Sequence, residues 1–218
     1  MRGNLLKTAF FLVLCALLFA GCAGKEKINI SQQEEEIPGL KYSLQIPEYP
    51  DYPEFSKAIN DALVKDFEKY KRFAVGEWES GAEDTLTYRT IAQDFSNKDY
   101  VNVFITKYIF RGINSEDEYY ITFCWDKKQK KLVGIEDVTG MTDLELMEYC
   151  RNYVKTHLED VEERARSYVD SCVDLALNED IRRYSNFVAA KDSVIIHFAS
   201  GDSAPIGYGP QTVEIKRR

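Results

Sequence analysis

VNVFITKYIFRGINSEDEYY, Val101 to Tyr120, reads as a strand, a turn and a second strand. Valine, isoleucine, phenylalanine and tyrosine crowd its first half, the composition of a pleated, buried surface. The spacing places strands at Tyr100 to Phe110 and at Glu118 to Asp126, and a further one upstream at Thr85 to Phe95. Consecutive strands joined by short turns predict antiparallel pairing, and this decides the sheet around which the rest is arranged.

Outward from that sheet the pattern changes period. Leu40 to Ile46 alternates as a strand, and Pro47, Pro50 and Pro53 end it and set up a helix. From Glu54 to about Ala74 the apolar residues Phe55, Ile59, Leu63, Phe67, Tyr70 and Ala74 recur at helical spacing along one stripe. Downstream, Thr142 with Glu145 three residues on forms a capping-box signature for a helix to about Leu158. A second helix is expected from about Val161 to Leu177, with Val161, Ala165, Tyr168, Cys172 and Ala176 on one side. The chain returns to strand at Ser185 to Ala190, Ser193 to Ala199 and Gln211 to Lys216. Helices and strands in separated runs predict an α+β fold, antiparallel sheet packed with about three helices, in one compact domain or two interlocked halves. The expected division is 1–21 signal peptide, 22–38 flexible tether and 39–218 folded domain, with halves 39–95 and 96–218.

The N-terminus carries the address. A basic start, Met1 to Lys7, precedes the apolar run Ala9 to Ala20, which is too short to span a bilayer and suits a secretory signal peptide. It ends Leu18-Phe19-Ala20-Gly21-Cys22, small residues before a cysteine, as in a bacterial lipobox. Cys22 is therefore the expected lipidation site, and the expected location is the bacterial envelope, lipid-anchored and extracytoplasmic. The stretch from Ala23 to Pro38 (AGKEKINISQQEEEIP) is polar and charged, hence the expected tether.

Of the 28 basic residues in the whole chain, Arg2 and Lys7 lie in 1–21, where no acid occurs. The remainder keeps all 36 acidic residues and carries a net charge near −10. Such a chain argues against nucleic acid as a partner and against a basic patch on anionic lipid; the acyl chains on Cys22 are the expected membrane contact. Acidity favours basic partners.

No constellation for catalysis stands out, and neither an enzyme activity nor a cofactor is expected. His157 and His197 lie far apart, with no cysteine or histidine at metal-ligand spacing. No serine occupies a nucleophile elbow and no glycine-rich phosphate loop occurs. Asp99, Asp117 and Glu118 match no calcium-loop spacing. Once Cys15 is removed with the expected signal peptide and Cys22 is set aside, Cys124, Cys150 and Cys172 remain. A Cys150–Cys172 bridge and buried free thiols both fit, and Cys124 is expected unpaired. The stretch Ser203 to Gln211 (SAPIGYGPQ) reads as a corner between strands, since Pro205 and Pro210 cannot donate to a ladder and Gly207 and Gly209 permit reversal. Tyr208 is either a plug or a contact. With Tyr119, Tyr120 and Pro205 it makes up the candidate ligand-contact set.

Three segments, in order, carry a family resemblance: Ile46-Pro47 through Phe55 to Asn60; Val101 to Tyr120; and Asp192 to Phe198 followed by Ala204 to Pro210 and Val213 to Ile215. Together they resemble the extracytoplasmic domain of the RsiV-type anti-sigma factors, also found beside polysaccharide deacetylase domains. In the family's final-loop pattern the tyrosine is displaced here to Tyr208, and of its central turn only Gly112 matches. The resemblance implies a non-catalytic binding or sensing module for an envelope ligand, a basic protein such as lysozyme or a cell-wall glycan, carried here on a lipid. A structural lipoprotein within an envelope complex is the alternative.

Overall fold

The computed structural model describes residues 26–112, 116–159 and 161–217. The expected lipidation site Cys22 and the expected signal segment 1–21 lie outside the described residues. Among the described residues nine strands form two sheets. The larger has the order β1 (Asn29–Ile37), β2 (Leu40–Glu48), β3 (Leu86–Asp94), β4 (Tyr100–Phe110), β5 (Glu116–Asp126) and β6 (Lys131–Leu132), and the smaller β7 (Phe187–Ala189), β8 (Ser193–Phe198) and β9 (Gln211–Lys216). Helix α1 (Pro53–Glu79) lies between β2 and β3; α2 (Ile135–Thr139), α3 (Asp143–His157) and α4 (Glu163–Ala176) lie between the two sheets in sequence. This is the α+β architecture expected. Among the described residues no helix is long and apolar enough to cross a membrane.

Every pairing is antiparallel except β2 with β3, which run parallel from Leu40 opposite Leu86. A parallel pair needs a crossover, and the 27-residue α1 supplies it. Its stripe of Phe55, Ile59, Leu63, Phe67, Tyr70 and Ala74 is buried as its spacing predicts. It packs on Leu40, Leu44 and Ile46 of β2, Leu86, Tyr88 and Ala92 of β3, and Val101, Val103, Ile105 and Ile109 of β4.

Because strand side chains alternate, Tyr100, Asn102 and Phe104 point to the opposite face. There Tyr100 and Cys124 join a second core with Leu146, Cys150 and Val154 of α3, Val169 and Val173 of α4, and Val194, Ile196 and Phe198 of β8. Strands β4 and β5 are thus covered on both faces near Tyr100 and Asp126, which explains the unbroken burial from Tyr100 to Ile105. It also corrects the expected halves. The boundary does not fall at residue 95, because one sheet runs through it and β4 feeds both cores.

Asn102 joins the layers. It is fully buried. Its Oδ1 accepts from Ala189 N–H at 3.0 Å, and its Nδ2 donates to the carbonyls of Ala189 at 3.1 Å and Phe95 at 3.2 Å. Thr122 acts alike: its hydroxyl accepts from Phe187 N–H at 2.9 Å and donates to the Ser185 carbonyl at 3.0 Å. Side chains of one sheet therefore complete the free backbone edge of β7 in the other.

Two expectations need correction, and the open choice at the cysteines is decided. Residues 29–37 of the expected tether form strand β1, paired with β2 along its whole length. Polar composition concealed it. As an edge strand it needs backbone partners rather than an apolar face, and its charges discourage further pairing. In α4 the buried line is Val169, Val173 and, just beyond it, Leu177; Tyr168 is 69% exposed. Cys172 shares that outward side, away from Cys150, so no bridge forms, and Cys124, Cys150 and Cys172 are free thiols. Burial pushes the thiols of Cys124 and Cys150 up to about 12, which keeps them protonated and unreactive.

Candidate functional site: the open face of the large sheet

Away from α1, the outer end of the large sheet is left uncovered. Strand registers set its side chains in two transverse rows. One runs Glu34, Ser43, Arg89, Tyr108 and Glu118 across β1 to β5; the next runs Glu36, Lys41, Thr87, Phe110 and Glu116. Each row begins and ends on glutamate. At about 4.8 Å between strands the two ends stand roughly 19 Å apart.

The centre is fixed by Arg89. Its guanidinium lies 4.4 Å from the Tyr108 ring centroid and 3.6 Å from Glu116. The Ser43 hydroxyl donates to Glu34 at 2.9 Å, and Gln32 donates to the same carboxylate at 2.6 Å. A cavity of about 430 Å³ opens here, lined by Glu34, Glu35, Glu36 and Glu116 against Lys41 and Arg89. The Glu35 side chain turns to the other face, where it accepts from the Tyr42 hydroxyl at 2.6 Å, so Glu34, Glu36 and Glu116 stand with Lys41 and Arg89 in the groove, three carboxylates to two cations. Its rim is negative at both ends and its floor carries an aromatic ring stacked under a guanidinium.

The candidate contact residues from the sequence do not meet there. Tyr119 and Tyr120 are neighbours on a strand and face opposite sides. Tyr119 lies 5.1 Å from Lys107 Nζ and accepts from Arg111 at 3.2 Å; Lys107 in turn pairs with Asp66 of α1 at 2.8 Å. Tyr120 sits at the seam of the two sheets, 5.0 Å from Phe104 and 6.4 Å from His197, and burial pushes its hydroxyl well above the usual tyrosine range. Pro205 opens a single helical turn, Ile206–Tyr208, and accepts from Tyr208 N–H at 2.9 Å. Tyr208 packs, partly buried, on the second core, while Ser203 and Ala204 are buried beneath it. The loop is a corner anchored inward. The acidic end on β1 is hidden in the sequence because Glu34 to Glu36 read as tether. The signal was the alternation of Thr87 with Arg89 and of Glu116 with Glu118.

The histidines are separate. His157 stacks on Tyr153 at 4.0 Å near the end of α3. His197 packs edge-on to Phe104 at 4.7 Å, and burial lowers it to about 4. A folded-state value below the ordinary 6.5 means that the unfolded chain takes up the proton first, so stability is lost as pH falls from about 6.5 toward 4. Part of the ring reaches solvent, so the expected loss is about 2 kcal/mol, short of the full linkage value. His197→Phe keeps the ring packing and removes the proton. Its denaturation free energy should fall less between pH 7 and pH 4.5 than that of the parent, and parallel curves would show that His197 is not the titrating group. Among the described residues no group of three or more His, Cys, Asp or Glu is placed to hold a metal.

No protein-family model matches the chain, and no curated protein matches it. Its fold is shared with solved structures. A DUF3298 family protein from Pseudomonas aeruginosa PAO1 superposes with a TM-score of 0.66 at 14% identity, over 90% of this chain and 93% of that one. A DUF3298 family member from Bacteroides fragilis superposes with a TM-score of 0.56 at 14% identity, over 89% and 91%. The chain therefore has the fold of DUF3298 proteins along nearly its whole length.

Proposed function

We propose that this protein is an envelope lipoprotein, anchored through Cys22, whose domain is a non-catalytic binding module of the RsiV type that captures a cationic protein on the open sheet face. The observation that carries this reading is the acidic groove, with Glu34, Glu36, Glu116 and Glu118 at the two ends of its rows and Arg89 over Tyr108 between them. A net charge near −10 draws a basic partner over about a Debye length, roughly 8 Å at physiological salt, and the groove gives it a place to stop. The RsiV resemblance makes lysozyme the first ligand to try.

Titration calorimetry of the purified protein with lysozyme tests this. Binding should weaken steeply with added salt. Replacing Glu34, Glu36, Glu116 and Glu118 together by glutamine should lower affinity by about tenfold or more and flatten that salt dependence, while leaving the melting temperature nearly unchanged because the residues are largely solvated. Equal affinity for parent and variant would remove the groove as the binding surface.

A further inference from the structure

The charge is unevenly placed. The turn between β5 and β6 reads Lys127-Lys128-Gln129-Lys130-Lys131, four lysines in five positions of an acidic chain, followed by Leu132, which is 42% exposed. The turn is rigidly built. Asp126, itself buried, accepts from the backbone N–H groups of Lys128 and Gln129 at 2.8 and 2.7 Å and from the Gln129 side chain at 3.0 Å. Lys131 lies 3.7 Å from Asp137, and the exposed Lys98 on the adjoining loop lies 3.9 Å from Asp99. Lys128 and Lys130 are exposed and have no ion pair among the described residues. Lys216 and Arg217, the latter stacked on Tyr100 at the start of β4, extend the same end of the molecule.

The chain enters the domain at this end. The Glu26 carboxylate pairs with Lys127, which also donates to the Asn97 carbonyl. Both partners of the pair are less than one-fifth exposed. The tether is therefore clamped at Glu26, four residues after Cys22, and the free length between them spans at most about 14 Å. The acidic groove lies at the far end of the sheet: Glu116 and Asp126 are the two ends of β5, roughly 33 Å apart at strand rise.

We infer that the Lys127–Leu132 turn, with Lys98, is a membrane-surface contact that rests on anionic phospholipid headgroups and holds the domain upright, the acidic groove facing away from the bilayer. The inference rests on lipidation at Cys22, as proposed above, but not on the identity of the captured partner. Each unpaired lysine near an anionic surface favours association by roughly fivefold, so Lys128 and Lys130 together contribute about twenty-five-fold. Leu132 adds an apolar side chain at the depth of the headgroups. The short leash makes this surface the one that meets the membrane, and whole-chain acidity masks it.

The test uses the mature lipoprotein reconstituted into vesicles of phosphatidylcholine alone or of phosphatidylcholine and phosphatidylglycerol in equal parts, with intact mass reporting the acyl chains on Cys22 separately. Amide hydrogen exchange should slow at residues 127–132 and 98–99 in the anionic vesicles only, and high salt should abolish the protection. The variant Lys128→Gln, Lys130→Gln, Lys131→Gln should lose that protection while remaining anchored and still binding lysozyme at least as tightly as the parent. Identical exchange in the two kinds of vesicle, or protection at Glu34 to Glu36 in place of the turn, would overturn the inference. Failure of lysozyme binding with protection intact would instead count against the groove reading alone.

Discussion

Asn102→Leu should destabilise the protein by about 3 kcal/mol, measured as a shift of the urea midpoint at unchanged slope. Leucine keeps the branched shape and the number of heavy atoms, so no cavity opens and the loss comes from the broken hydrogen bonds and the crowding of methyl groups at their positions. Asn97 also donates to the Ala189 carbonyl, at 2.6 Å, and keeps that group satisfied. Ala189 N–H, however, loses the buried acceptor at 3.0 Å that Asn102 provides, and a buried donor left without a partner costs about 1–3 kcal/mol. The bond from Asn102 to the Phe95 carbonyl goes with it. Thr122→Val, which breaks the other side-chain link to the same strand, should cost less, about 1–2 kcal/mol, because that site is partly open to water. A midpoint unmoved by Asn102→Leu would mean that the two sheets are held by apolar packing alone.

Gly39→Ala should cost about 3 kcal/mol. Gly39 has a φ of 78°, a conformation in which a side chain is strained, and an added Cβ would stand 2.5 Å from Trp78 Cβ and 3.2 Å from the Ala74 carbonyl. The turn between β1 and β2 is pressed onto the last turns of α1, and backbone or Cβ atoms cannot swing aside. Gly140 is the control. Its φ of 69° is similar, but a Cβ there meets nothing within 4 Å. Gly140→Ala should therefore cost only about 1 kcal/mol, the strain alone. Circular-dichroism melts of the two variants separate contact from conformation. Equal losses would show that the β1–β2 turn does not press on the helix.

Where burial follows period, the fold is legible in the sequence. The α1 stripe can be read residue by residue, and so can the capping box, in which Thr142 accepts from Glu145 N–H at 3.3 Å and Glu145 accepts from Thr142 N–H at 2.8 Å. Strands β3, β4 and β5 lie within two residues of their predicted bounds. What period cannot show is a strand held only by backbone. The sequence of β1, NISQQEEEI, has no apolar alternation, and its existence depends on β2 beside it. The stripe on α4 was misplaced for a related reason. Ala165, Tyr168 and Cys172 on one side and Val169, Val173 and Leu177 on the other both satisfy helical spacing, and only the neighbouring α3 decides between them. The candidate site suffered from both effects. One of its acidic ends, Glu34 and Glu36, sits on the hidden strand, and its pairing of Arg89 with Tyr108 is a cross-strand contact that no local pattern announces.

The single parallel pairing has a kinetic consequence. β1 with β2, and β3 through β6, are two runs of antiparallel neighbours, each joined by short connections, and such units close in microseconds. Their union at β2 and β3 must wait until Leu40 finds Leu86 across the whole of α1, and pairing over so long a stretch of chain is slow. Until that joint closes, two apolar strand edges, LKYSLQI and LTYRTIAQ, stand open on the same chain. Refolding yield should therefore fall with protein concentration more sharply than equilibrium stability alone would suggest, because each open edge can be completed by a neighbouring molecule before it is completed by its own.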